Sequence, residues 1–227
     1  SAKGRIFTLG GLEALPVPRA MTTAEISNTV RDFAAAAGAA LASGFDGVEI
    51  HGANGYLVEQ FLSDHANRRD DAYGGDPSRR LRFLADIFDA TAAQCGDLSR
   101  IGLRLSPFGD FNDIRHNDPG AVFKAAAGLL DAREGAYLHL SEPEVSGDGA
   151  RREEHASVPD VLALARSCYS GPLMVAGGYT RARAEAALAA GRADMVAFGR
   201  PFISNPDLPE RFRDGVALAG WDRETFY

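Results

Sequence analysis

Apolar and polar positions along the chain switch period repeatedly, and each switch predicts an element. "TTAEISNTVRDFAAAAGAALASG" carries the helical period, with Thr22 and Glu25 at the spacing of a capping box and Gly44 where a glycine commonly closes a helix. "FDGVEI" follows as a short strand, and the alternation then repeats. Asp76–Pro77 opens a helix to about Cys95, followed by the strand "RIGLRLS" (100–106). Asp118–Pro119 opens a helix to about residue 133, followed by the strand "AYLHLS" (136–141). Ser157–Cys168 is predicted helical before the strand "PLMVAGG", and Thr180–Ala190 helical before the strand "ADMVAFG". The segment "NPDLPERFRDGVA" reads as one or two short helices. Residues 1–21, with Gly10–Gly11, Pro16 and Pro18, read as an irregular or hairpin lead-in, and residues 144–157 as a long polar loop. Five strands joined by helical crossovers predict parallel pairing in an α/β fold, as one domain over residues 1–227.

The strands are not uniformly apolar, although parallel strands covered on both faces usually are. Glu49 and His51 share one face of "VEIH", Arg104 interrupts "GLRLS", and Tyr137, His139 and Ser141 alternate with Leu138 and Leu140. One face therefore packs helices, and the other carries polar groups toward the strand ends, where α/β barrels collect binding and catalytic groups. A single buried Arg or His is commonly structural; the same bias in three strands favours a site. His51, Asn54 and Tyr56 crowd within six residues at the end of the first of these strands. Further on, Gly177–Gly178 and Gly199–Arg200 each stand between a strand and a helix. Paired glycines and helix starts present backbone N–H groups to an anion, and Arg adds a fork of donors, so these two loops point to a phosphorylated ligand. Tight βα turns are the bland alternative.

Composition narrows the classes. A formal charge of −7 argues against an electrostatically driven nucleic-acid binder. Cys95 and Cys168 are far apart and without metal-ligand spacing, which predicts neither a metal site nor a disulfide framework and favours a cytoplasmic location. No apolar run approaches the roughly 18 residues of a membrane span. Neither a P-loop nor a G-x-G-x-x-G fingerprint is present.

"VEIHGANGYLVEQFLSDHANRRDDAYGG", together with "GLRLSP", "LHLSEP", "AGGYT" and "AFGRPFISNPDLPER", resembles the old yellow enzyme family of FMN-dependent NAD(P)H ene-reductases, over essentially the whole chain and in the family's order. The resemblance implies a (β/α)8 TIM barrel and the reduction of activated C=C bonds in enones or nitroalkenes, with hydride passing from NAD(P)H through the flavin. It implies that His51 and Asn54 hold the substrate oxygen as charge develops on it, and that Tyr56 is the general acid. Arg104 matches a residue at the polar edge of the flavin ring. Gly177, Gly178, Gly199 and Arg200 match the FMN phosphate site, and Tyr227 matches an aromatic of the substrate pocket. The segment from Asn67 to Gly75 matches the family as well and reads as architectural.

A complete barrel has eight strands and the pattern here yields five, which correspond by motif to strands 4–8. The expectation is an incomplete barrel, the C-terminal portion of a longer polypeptide, whose N-terminal segment is supplied in cis or by another chain. A different phosphate-binding barrel would share the two glycine loops but has no need of the His51, Asn54 and Tyr56 trio. The non-enzymatic alternative is a half-barrel flavin- or phosphate-binding module that works only when complemented.

Overall fold

The structure, a computed structural model, describes residues 5–8, 11–142, 160–222 and Thr225. Its elements in chain order are the antiparallel hairpin β1 (Arg5–Thr8) and β2 (Gly11–Ala14), helix α1 (Thr23–Ala42), strand β3 (Val48–Gly52), helices α2 (Leu57–Leu62) and α3 (Pro77–Cys95), and strand β4 (Ile101–Leu105). Then come α4 (Pro119–Asp131), β5 (Leu138–Ser141), α5 (Val161–Arg166), β6 (Leu173–Ala176), α6 (Arg181–Ala189), β7 (Met195–Val196), α7 (Arg200–Ser204) and α8 (Leu208–Asp214).

The long helices start where their caps direct. Thr22 Oγ1 accepts from the Glu25 N–H at 3.2 Å while the Glu25 carboxylate accepts from the Thr22 N–H at 2.7 Å, a complete capping box. Asp76 accepts from the Arg79 N–H ahead of α3, and Asp118 from the Ala121 N–H ahead of α4, each followed by Pro at the first helical position. The chain leaves α1 and α3 through Gly44 and Gly96, both at positive φ (+94° and +73°).

The five later strands pair in parallel in the order β3-β4-β5-β6-β7. Each new strand adds beside the previous one, which is the winding of a (β/α) barrel; a doubly wound sheet reverses its strand order. Register separates the two faces. Ile50, Leu103, Leu138 and Leu173 lie opposite one another across four strands, and all are buried against α3 and α4, whose Phe83, Leu84, Ile87, Phe88 and Leu130 are fully enclosed. One residue further along, His51, Arg104, His139, Met174 and Met195 form the matching row on the opposite face.

The strands are shorter than the apolar runs from which they are read. β3 begins after Gly47, where a Cβ would meet the Arg100 carbonyl oxygen at 2.4 Å. β7 keeps only Met195 and Val196, the two residues that pair with Met174 and Val175 of β6. The helix expected over 157–168 appears as α5, opened by Asp160, whose carboxylate accepts from the N–H groups of Leu162 and Ala163; residues 157–159 and the polar loop at 144–157 lie outside the described residues. Among the described residues no helix is long and apolar enough to cross a membrane.

Candidate active site

β3 ends at Gly52, and the chain turns through residues 53–56 before entering α2. Asn54 and Gly55 both take left-handed backbone conformations, with φ of +58° and +69°. The left-handed conformation costs glycine little but strains Asn54, and here all four backbone polar groups of the pair are held by side chains. The Asn54 N–H donates to Ser106 Oγ at 2.7 Å and the Asn54 carbonyl accepts from Asn112 Nδ2 at 3.0 Å. The Gly55 N–H donates to Glu59 Oε2 at 2.6 Å and the Gly55 carbonyl accepts from Gln60 Nε2 at 2.7 Å.

This turn gathers the trio singled out in the sequence. The rings of His51 and Tyr56 lie 5.3 Å apart between centroids, tilted by 47°. Tyr56 is the N-cap residue of α2 and 50% exposed, so its phenol is open to solvent or ligand. His51 is half-buried; burial and the nearby Arg104 guanidinium hold its pKa below the ordinary 6.5, outweighing the pull of Glu49 and Glu59. At neutral pH the imidazole is therefore uncharged and offers one N–H as a donor.

Arg104 lies opposite His51 in the adjacent strand, and His139 lies opposite Arg104 in the next. His139 Nδ1 is 2.8 Å from Glu49 Oε2. Burial pushes the Glu49 carboxyl up, but the bond to His139, the Tyr137 hydroxyl and the Arg104 charge together hold it below its ordinary value. Tyr137, half-buried and bonded to that carboxylate, is pushed up to about 12. Its ring can cross β4 because residue 102 is glycine: a Cβ there would lie 2.5 Å from Tyr137 Cζ. Two buried nitrogens of this face, Arg104 Nε and His139 Nε2, have no hydrogen-bond partner among the described residues.

At the other side of the sheet, the loops after β6 and β7 are adjacent because their strands pair. Gly177 and Gly178 have φ of +143° and +63°, and a Cβ on Gly177 would come within 3.0 Å of Glu142 Cβ. The loop is braced by Arg183, which donates to the Gly177 carbonyl at 3.1 Å and to Glu142 Oε2 at 2.9 Å while stacking 4.2 Å above the Tyr179 ring. Gly199 precedes α7, and the guanidinium carbon of Arg200 sits 5.1 Å from the Trp221 ring centroid. His51, Arg104, Gly177, Gly178, Gly199 and Arg200 thus all lie at the carboxyl end of one parallel sheet. Tyr227 lies outside the described residues. Sequence reasoning missed Ser106, Glu59, Asn112 and Gln60 as supports of the turn; the available signal was that polar residues fill the "YLVEQF" and "RLSP" motifs at positions where a packed helix and a strand end need none.

A sequence profile described as the NADH:flavin oxidoreductase / NADH oxidase family matches residues 8–219. The chain belongs to that family. Among its relatives, number 10 of the 12-oxophytodienoate reductase series of Oryza sativa subsp. japonica is 46% identical over 217 residues, covering 95% of this chain and 68% of the relative. 12-oxophytodienoate reductase 1 of the same plant is 44% identical over 212 residues, covering 92% of this chain and 54% of the relative. Among solved structures, morphinone reductase in complex with tetrahydroNAD superposes with a TM-score of 0.87 at 41% identity, covering 99% of this chain and 60% of that one. The old yellow enzyme homologue from Zymomonas mobilis superposes with a TM-score of 0.90 at 38% identity, covering 100% of this chain and 62% of that one. The chain thus spans little more than half to two thirds of the length of these relatives. As an old yellow enzyme family member, it stands among oxidoreductases whose cofactors are FMN and a reduced nicotinamide.

The residues present fit that flavin. Arg104 Nε and His139 Nε2, without partners among the described residues, would be available to polar atoms of a bound ring. The left-handed glycines after β6 suit a phosphate approached by backbone N–H groups.

Proposed function

We propose that this chain, completed by further barrel strands, is an ene-reductase: it reduces the C=C bond of enones or nitroalkenes at the expense of NAD(P)H. The observation that carries the reading is the convergence of His51, Asn54 and Tyr56 on a turn fixed from outside, with Arg104 in register beside them. Bound FMN supplies the hydride chemistry that links NAD(P)H to the alkene. Arg104 holds the polar edge of its ring, and the loops carrying Gly177, Gly178, Gly199 and Arg200 hold its phosphate. The chain supplies barrel strands 4–8, with the two phosphate loops last, and the earlier strands come from the same polypeptide or a second chain; without them it is a half-barrel module that awaits complementation.

In the reaction the substrate oxygen gathers negative charge as the β-carbon is reduced. The neutral His51 N–H and the Asn54 side-chain amide donate to that oxygen, and donors fixed in advance stabilise it at no reorganisation cost. Tyr56 delivers a proton from its phenol to the α-carbon as a general acid.

Tyr56→Phe in the FMN-loaded protein is the test. Alkene reduction is expected to slow by about 10²–10⁴-fold, the usual worth of a positioned acid, while reduction of the flavin by NAD(P)H persists. Equal loss of both half-reactions refutes the assignment. His51→Ala and Asn54→Ala are expected to weaken the binding of phenol, which mimics the substrate oxygen; unchanged affinity removes them from the oxygen-binding role.

A further inference from the structure

The backbone of Asn54 is locked by a chain of hydrogen bonds that begins at a buried carboxyl group. Glu59 is 5% exposed, and its oxygens serve the turn: Oε2 accepts from the Gly55 N–H at 2.6 Å, and the carboxyl accepts from the Ser106 hydroxyl at 3.0–3.1 Å. Ser106 Oγ in turn accepts from the Asn54 N–H at 2.7 Å. A serine hydroxyl has one proton and can point it several ways. An acceptor at Glu59 commits that proton, which leaves a lone pair of Ser106 Oγ facing the Asn54 N–H. His116 Nε2 is 3.7 Å from Glu59 Oε1. The cavity bordered by Glu59, Ser106 and His116 measures about 20 Å³, room for one water and none for a substrate.

From this geometry we infer that Glu59 is a positioning residue for substrate-oxygen binding: through Gly55 and Ser106 it sets the left-handed turn and hence the aim of the Asn54 amide. The inference rests on the proposed role of Asn54 and goes beyond it, because Glu59 acts without touching substrate or flavin. A buried carboxyl that served only to stabilise α2 would stabilise the fold without changing how tightly Asn54 holds an oxygen.

Phenol binding to the full-length, FMN-loaded protein tests this, read from the flavin absorbance, with FMN retention and the melting midpoint measured alongside. Glu59→Ala and Ser106→Ala are each expected to weaken phenol binding by about 10-fold or more, the scale of a lost buried hydrogen bond, with FMN retained. Glu59→Gln keeps an accepting oxygen and is expected to stay within about threefold of wild type. The double variant Glu59→Ala/Asn54→Ala is expected to bind phenol no more weakly than Asn54→Ala alone, since the two act as one unit. Wild-type affinity in Glu59→Ala or Ser106→Ala overturns the inference, as does a double variant whose loss is the product of the two single losses. Should Glu59→Ala not fold, Ser106→Ala and Glu59→Gln carry the same comparison. If Asn54→Ala alone leaves phenol binding unchanged, it is the role of Asn54 that fails; if Asn54→Ala weakens binding and the Glu59 and Ser106 variants do not, the role of Asn54 stands and the positioning by Glu59 falls.

Discussion

Gly55 combines a left-handed backbone with a Cβ position 2.4 Å from the Phe111 carbonyl oxygen. Gly55→Ala is therefore expected to destabilise the fold by about 2–4 kcal/mol, from backbone strain and overpacking together. Urea unfolding measures it, and a loss under about 0.5 kcal/mol, the scale of a neutral surface substitution, would mean that the turn yields easily. His51 gives a pH dependence. Its pKa is held below 6.5, so near pH 6 the unfolded chain binds more protons at this residue than the native one. Its contribution to stability is complete above pH 6.5 and is lost as pH falls from there through the folded value. The same unfolding experiment, run from pH 8 to 5, is expected to show a shallower acid-side loss in His51→Asn than in wild type. The trio itself was legible in the sequence, because His51, Asn54 and Tyr56 stand within one short motif. Their supports were not. Ser106 is 47 positions from Glu59, and although "LVEQFL" carries polar residues where a packed helix needs none, it does not say which backbone groups Glu59 holds; a charged residue on a six-residue helix ordinarily faces water.

The helices and strands follow local rules closely where the rules are complete. α3 begins at Pro77 and ends at Cys95, as the Asp76–Pro77 start and the Gly96 stop dictate. The strand ends were less legible, because their limits depend on neighbours: β7 is held to the two residues that register with Met174 and Val175 of β6, a fact absent from its own apolar run. Cross-strand packing was hidden for the same reason. Gly102 reads as an ordinary small residue in "RIGLRLS", yet it is the space over which Tyr137 reaches Glu49. Gly102→Ala is expected to cost about 1–3 kcal/mol and to return the Tyr137 phenol from about 12 toward its ordinary value as contact with Glu49 is lost. Ultraviolet titration of the tyrosines checks the second effect: burial holds Tyr169 at about 12 as well and Tyr179 higher still, so one tyrosine is expected to leave the high-pH step, and a step of unchanged amplitude would mean that the ring accommodates the methyl group in place.

At the scale of the whole molecule, the sheet divides its labour along its width. The turn that carries the candidate oxygen donors leaves β3, Arg104 stands in β4, and the candidate anion loops leave β6 and β7, so an elongated ligand would bridge opposite sides of one sheet. A ligand held that way couples the strands it spans: at 100 times its dissociation constant it adds about 2.7 kcal/mol to the stability of the state that binds it. One consequence concerns measurement. Trp221 is the chain's single tryptophan, and it stands over Arg200, at the start of α7. Its emission therefore samples one known place, the anion loop after β7, with no second indole to dilute the signal. Titrating inorganic phosphate is expected to shift that emission as Arg200 turns from the ring to the anion, and Arg200→Ala is expected to abolish the shift. With the proposed phosphate role of that loop, the single indole would serve as an optical gauge of its occupancy, readable with no added dye.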